Sequence, residues 1–371
     1  MLKPILAMLP TILCALPCAA AAQSETRASG AFKVGTTLRS FVPPEPYDWR
    51  GAATHALLTA IWYPADPGAQ ERPQLFGPPN APLLEAGPAA PDAAAAPTPA
   101  KFPLILLSHG TGGTAQSLAW LGTALASHGY IVAGVNHPGN NALDPYTVQG
   151  FTVWWKRAQD ISVVLDAMLA EPLFGARIDR DRIAATGFSL GGYTVIELAG
   201  GITSPTRFEE FCKSGVSPAS CQAPPEFPDY HDKRAALAKT DAAYAAALAE
   251  SAKSYRDPRV RAAFAMAPAL GFVLTPESLA AIAIPIAIAA GEGDAIVPID
   301  ASAKYLAAKI PRTELTIFPG AVGHYVFLDV CTSAGRDTLP SLCIDAPGVD
   351  RDAVHRATAD LATQFFDAHL K

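Results

Sequence analysis

Short apolar runs alternate along the chain with longer stretches whose apolar residues recur at helical spacing. The segments 103–108 (PLILLS), 130–136 (YIVAGVN), 183–188, 260–266, 284–290 and 314–318 are short and nearly continuous in hydrophobic residues, as buried central strands are. Between them, Ile161, Val164, Leu165 and Met168 share a helical face within 151–169. Further helices are expected from the turn at 109–113 to Ser127, from Ser189 to Leu198, over 299–309 and over 352–369. Two more strands, 32–41 and 56–63, precede this series. The pattern predicts an α/β fold: a mostly parallel central sheet with helices on both faces.

The alternation is interrupted in two places. Residues 64–101 are dominated by Ala, Pro and Gly, offer no consistent apolar face, and are expected to form a long flexible surface loop. Residues 203–258 form an insertion containing Cys212 and Cys221. Its Ala-rich part, 233–255, places Leu237, Tyr244, Leu248 and Tyr255 near one helical face. It lies where a lid would sit, and packing against the outside of the domain is the other reading.

Half of the residues are hydrophobic and 17% are charged, which excludes a disordered chain. A net charge of −6 leaves no basic footprint for nucleic acid or an anionic membrane. Residues 1–22 carry Lys3, an apolar run and a stretch of small residues ending at Ala22, the layout of a cleaved signal peptide. Its removal leaves 23–371 as one catalytic domain, exported to the periplasm or beyond, with no stable membrane insertion. Cys14 and Cys18 leave with the leader, and Cys212, Cys221, Cys331 and Cys343 remain for an oxidising compartment. Of the three possible pairings, Cys212–Cys221 with Cys331–Cys343 closes the shortest loops.

The chemistry is concentrated at Gly187-Phe188-Ser189-Leu190-Gly191, a G-x-S-x-G motif between an apolar strand and a helix. There a sharp turn lifts a serine hydroxyl above the sheet, and the glycines make room for the strained backbone. A serine nucleophile needs a base, itself oriented by a carboxylate, each on a loop after a later strand. Asp294 follows the strand ending at residue 290, and His324 follows the strand ending at 318. Glu292 fits a solvated turn. Of the eight histidines, His55, His128, His231, His355 and His369 suit surface or capping roles. His109 and His137 end strands on the functional edge but precede the serine, so they are expected to shape the substrate pocket, together with Gly112, Trp154 and Trp155. The N–H of Leu190 and that of Thr111, in the turn Ser108-His109-Gly110-Thr111-Gly112-Gly113, are candidate oxyanion donors, with Gly112 next in line. Arg157 and Asp160 are spaced for an ion pair on one helix.

Gly110-Thr111-Gly112-Gly113-Thr114-Ala115 also fits the dinucleotide fingerprint G-x-G-x-x-A, but the next strand ends Val135-Asn136-His137, without the acid that would hold a ribose. No phosphate loop and no H-E-x-x-H occurs, so no cofactor or metal is expected.

The segments SHGTGG, HGYIVAGVNHPG, GFSLGG, DPRVRAAFAMAPALG, GEGDAIVP and PGAVGH resemble the bacterial predicted dienelactone hydrolases, close to the platelet-activating-factor acetylhydrolase branch of the α/β-hydrolases. The resemblance runs from about residue 31 to the end and implies the α/β-hydrolase fold and a serine esterase mechanism. It departs from both groups. Dienelactone hydrolases proper carry a cysteine nucleophile where this chain has Ser189, and the acetylhydrolases place their acid after the strand that follows the nucleophile. The matching stretch 263–268 has no carboxylate, which returns the role to Asp294. The expectation is an exported serine hydrolase cleaving small-molecule, lipid or polyester esters. An acyltransferase or amide hydrolase with the same triad, and a non-catalytic hydrolase-fold binding protein, are the alternatives.

Overall fold

A computed structural model describes residues 30–215 and 219–370; the expected signal peptide lies outside them. The centre is an eleven-stranded sheet in the order β10-β9-β8-β7-β5-β6-β2-β1-β4-β11, with β3 paired to β4. The strands are β1 (Lys33–Phe41), β2 (Leu57–Ala65), β3 (Arg72–Phe76), β4 (Leu84–Pro91), β5 (Phe102–Ser108), β6 (Ile131–Val135), β7 (Ile178–Phe188), β8 (Val260–Met266), β9 (Ile286–Gly291), β10 (Thr313–Phe318) and β11 (Val330–Cys331). From β6 through β10 every pairing is parallel, whereas β2 runs antiparallel to both β6 and β1.

Alternation along β5 shows why both faces are covered. Leu104 and Leu106 pack into the core layer that holds Ile161, Leu165 and Met168 of the Lys156–Ala170 helix. Ile105 and Leu107 point the other way, into the layer of Leu121 and Leu125 from Ala119–Ser127 and Phe365 and Phe366 from Arg351–Leu370. A strand buried on both faces must be apolar at every position, and all of Phe102–Ser108 is buried. The architecture is the expected mostly parallel α/β sheet.

Three local expectations are revised. Residues 64–101 contain β3 and β4 and are tied into the sheet: β4 runs parallel to β1 through Gly35↔Ala90 and Thr36↔Pro91 and antiparallel to β11 through Val330↔Glu85 and Cys331↔Leu84. Alanine supplies the buried face there, with Ala86, Ala89 and Ala90 packed away from solvent. Buried Gln74 links the neighbours, accepting Trp62 Nε1–H at 2.9 Å and donating to Gly87 O at 2.7 Å and Thr123 Oγ1 at 2.8 Å. A reading that seeks large apolar side chains overlooks such a strand.

The helix expected over 151–169 is broken into Val148–Thr152 and Lys156–Ala170, because Val153 leaves helical geometry (φ −94°, ψ 62°). The 203–258 insertion holds the helices Pro205–Lys213, Tyr230–Thr240 and Ala242–Ala249. Its Ala-rich part divides at Asp241, extended at φ −111°, ψ 103°, whose side chain accepts the Tyr244 N–H at 3.0 Å and caps the second helix. The two local disulfides, Cys212–Cys221 and Cys331–Cys343, are formed, each with Cα atoms 5.5 Å apart. No helix among the described residues is long and apolar enough to cross a membrane.

Candidate active site

β7 runs into Ser189, whose backbone sits at φ 56°, ψ −117°, before Leu190–Ala199 begins. Positive φ at a residue with a Cβ costs on the order of 1–3 kcal/mol and persists only where the surroundings fix it. The Ser189 N–H is held by Met266 O at 2.9 Å. A Cβ on Gly187 would lie 2.3 Å from Gly191 O, and one on Gly191 would lie 1.9 Å from Ser108 O, so both glycines are demanded by backbone contact. The turn presents Ser189 Oγ at the carboxyl ends of the parallel strands.

The loop after β9 carries Asp294 and the loop after β10 carries His324, as the order of strands predicts. His324 Nε2 lies 2.9 Å from Ser189 Oγ, and His324 Nδ1 lies 2.6 Å from Asp294 Oδ2. The other carboxylate oxygen, Oδ1, accepts the N–H groups of Ile296 at 2.9 Å and Val297 at 2.8 Å. Asp294 is therefore pinned by its own loop and orients the imidazole with Nδ1 protonated, which leaves Nε2 to accept from the serine hydroxyl. Ser189 and Asp294 are each 8% exposed and His324 4%. Glu292 stands outside this chain, exposed, bracing the neighbouring loop by accepting the Gly320 N–H at 2.6 Å.

The turn after β5 lies against the serine: a Cβ on Gly110 would sit 3.2 Å from Ser189 Cβ. Gly112 is excluded as an oxyanion donor because its N–H donates to Asn140 Oδ1 at 2.9 Å. Among the described residues, the Thr111 and Leu190 N–H groups have no protein acceptor; Leu190 directly follows the serine and Thr111 directly follows Gly110. Gly112 O receives Tyr146 Oη–H at 2.8 Å, and Tyr146 stacks edge-on to Phe151 at 5.2 Å.

The remaining expected pocket residues are placed differently. His109 and His137 are fully buried and stand behind the turn, so neither presents a face to a ligand at the serine. Trp154 and Trp155 pack against the insertion, Trp154 on Phe208 at 5.1 Å and Trp155 through Nε1–H to Ala247 O at 3.0 Å. Arg157 and Asp160 do not pair. Arg157 Nη2 donates to His109 O, while Asp160 takes Arg50 and His137. Burial pulls the Arg157 pKa down to about 9. Sequence reasoning missed Asn140, Tyr146 and Arg50; the dipeptide Asn140-Asn141 after a strand end was the one available hint of a turn-bracing amide.

Residues 86–153 match the family Platelet-activating factor acetylhydrolase, isoform II. Cutinase est1 of Thermobifida alba is 36% identical over 26% of this chain and 29% of its own length. Platelet-activating factor acetylhydrolase of Bos taurus is 30% identical over 26% of this chain and 32% of its own. The matched stretch thus spans less than a third of either relative. Over nearly the whole length, the fold superposes on a ferulic acid esterase from Streptomyces cinnamoneus, with TM-score 0.61 and 20% identity, covering 93% of this chain and 92% of that one. By these likenesses and by its sheet, the chain has the α/β-hydrolase fold and is similar, over part of its length, to esterases of that fold.

Proposed function

We propose that the protein is an exported serine hydrolase of carboxylic esters. The observation that carries this reading is the unbroken hydrogen-bonded path from Ser189 Oγ through His324 to Asp294, with the serine held at positive φ. Ser189 Oγ attacks the ester carbonyl carbon while His324 Nε2 takes its proton, and Asp294 steadies the imidazolium. The carbonyl oxygen, now negative, is received by the Thr111 and Leu190 N–H groups. Collapse breaks the bond to the alcohol, which leaves with the proton from His324. Water then repeats the sequence on the acyl-enzyme and releases the acid. The steps require neither a metal nor an organic cofactor.

The names of the relatives favour ester substrates, from small molecules to lipids and polyesters. Two disulfides support an oxidising compartment and hence export. The 203–258 insertion is proposed to border the substrate cleft, since its Phe227 packs on Phe151 at 5.2 Å, beside the oxyanion turn.

The deciding experiment is an ester panel of short p-nitrophenyl esters, phospholipid, aromatic esters and polyester film, run on wild type and Ser189→Ala, with fluorophosphonate labelling in parallel. Wild type should be labelled and active on at least one class. Retention of a tenth of the activity by Ser189→Ala would place the nucleophile elsewhere.

A further inference from the structure

Behind the oxyanion turn a second chain repeats the order serine, histidine, aspartate. Ser108 Oγ lies 2.9 Å from His137 Nε2, and His137 Nδ1 lies 2.7 Å from Asp160 Oδ2. Arg50 Nη2 donates to both carboxylate oxygens, at 2.9 and 2.7 Å, and the Tyr47 hydroxyl donates to Oδ1. The ionised carboxylate fixes the proton on Nδ1 and leaves Nε2 to accept from Ser108. No reacting molecule reaches this chain, since Ser108 and His137 are 0% exposed and Asp160 is 1%. Nor can His137 serve as a base: burial, then the Arg157 and Arg50 charges, push its pKa well below the usual histidine range, so it cannot keep a proton it takes.

What the chain does hold is the turn. Ser108 ends β5, and its carbonyl oxygen is in contact with the Gly191 backbone beside the nucleophile. The next residue, His109, accepts the His137 N–H on Nε2 at 3.2 Å and donates from Nδ1 to Gly110 O at 2.7 Å. His137 thus grips two successive residues, one by its ring and one by its backbone. The Thr111 donor lies two residues further on, after Gly110. An oxyanion donor acts only when it lies about 2.7–3.1 Å from where the charge forms, so a small shift of the turn weakens it steeply.

We propose that Ser108, His137 and Asp160 are positioning residues that set the Thr111 N–H at the oxyanion, with Arg50 anchoring the far end of the chain. The inference deepens the hydrolase reading and rests on it.

The test compares full-length wild type, Ser108→Ala, Ser108→Cys and Ser278→Ala. Ser278 Oγ–H donates to Thr275 O at 2.9 Å, a buried hydroxyl bond on the helix Pro276–Ala280 that precedes β9. Measured quantities are kcat and KM for a p-nitrophenyl ester, Ki for a trifluoromethyl ketone whose hydrate mimics the oxyanion, and the end-point of fluorophosphonate labelling. Ser108→Ala should lower kcat about 10- to 100-fold with KM nearly unchanged, raise Ki by the same factor, and still label fully. Ser108→Cys, a weaker donor in the same space, should fall between and provides the reading if the alanine variant does not fold. Ser278→Ala should keep wild-type kcat. Wild-type kcat and Ki in both Ser108 variants would overturn the proposal, as would an equal kcat loss in Ser278→Ala. Absence of label on wild type would instead overturn the hydrolase reading itself.

Discussion

Two serine–histidine–aspartate chains lie close together in this molecule, with nearly the same hydrogen-bond lengths and opposite prospects. In one, Asp294 is held by neutral backbone N–H groups and its full charge faces the imidazole of His324. In the other, Asp160 is matched by the Arg50 guanidinium, and Arg157 adds a second positive charge near His137. A positive charge on His137 is therefore opposed, by burial first and then by Arg157 and Arg50. Reach differs as well: Ser189 stands at the strand ends in a strained turn, whereas Ser108 is the sealed end of a central strand. Hydrogen-bond order alone does not make a nucleophile; counter-charge and access do.

The largest expected effect separates the chains at once. Ser189→Ala should lose activity on the order of 10⁶-fold, as triad members acting as a unit do, against the far smaller loss at Ser108. Ester turnover with a label-based active-site titration measures both. The two carboxylates come next. Asp294→Asn should lower kcat by roughly 10⁴-fold through the wrong imidazole tautomer, with the melting temperature little changed. Asp160→Asn should instead destabilise the fold by about 3–5 kcal/mol, because it leaves the buried Arg50 without a counter-charge. Urea unfolding beside kcat distinguishes the two, and a stable, inactive Asp160→Asn enzyme would erase the contrast drawn above.

Smaller effects sharpen it. Replacing Cys331 and Cys343 by serine should cost up to ~3 kcal/mol by the loop-entropy estimate, with kcat falling through the slackened His324 loop and the Ser108 chain untouched. Smallest and most gradual is a pH effect at Glu197, on the helix that follows Ser189. Burial raises the Glu197 pKa to about 8, while hydrogen bonds from Tyr193 and Thr203 oppose the rise. Below pH 4.5 the acid is protonated both folded and unfolded; between there and 8 only the folded chain keeps the proton. Its stabilising contribution is thus full in acid and lost as pH rises through 8. The melting temperature of Glu197→Gln should decline less steeply than wild type between pH 4.5 and 8, and parallel curves over that window would contradict this.

The Ser189–His324–Asp294 chain was legible because each residue sits on the turn or loop after an apolar strand, so sequence order translates into neighbourhood at one sheet edge. The second chain was not. Asp160 reaches His137 across 23 positions and Arg50 across 110, contacts that no local spacing encodes. On the helix, Arg157 and Asp160 look like partners, yet tertiary demand sends them apart. Gly112 was a reasonable donor until Asn140 claimed its N–H, and β4 was hidden because its buried face is built of alanine. Periodicity finds elements that bury large side chains; it misses those whose purpose is to lie close to a neighbour.

The pairing of β4 with β11 gives the Ala- and Pro-rich stretch an engineering consequence. Val330 and Cys331 are registered on Glu85 and Leu84, and Thr332 N–H reaches Leu83 O at 3.0 Å, a few residues past His324. Anyone pruning 66–95 to shorten the protein would cut the tether of the His324 loop, and the proposed turnover would be lost before the shape.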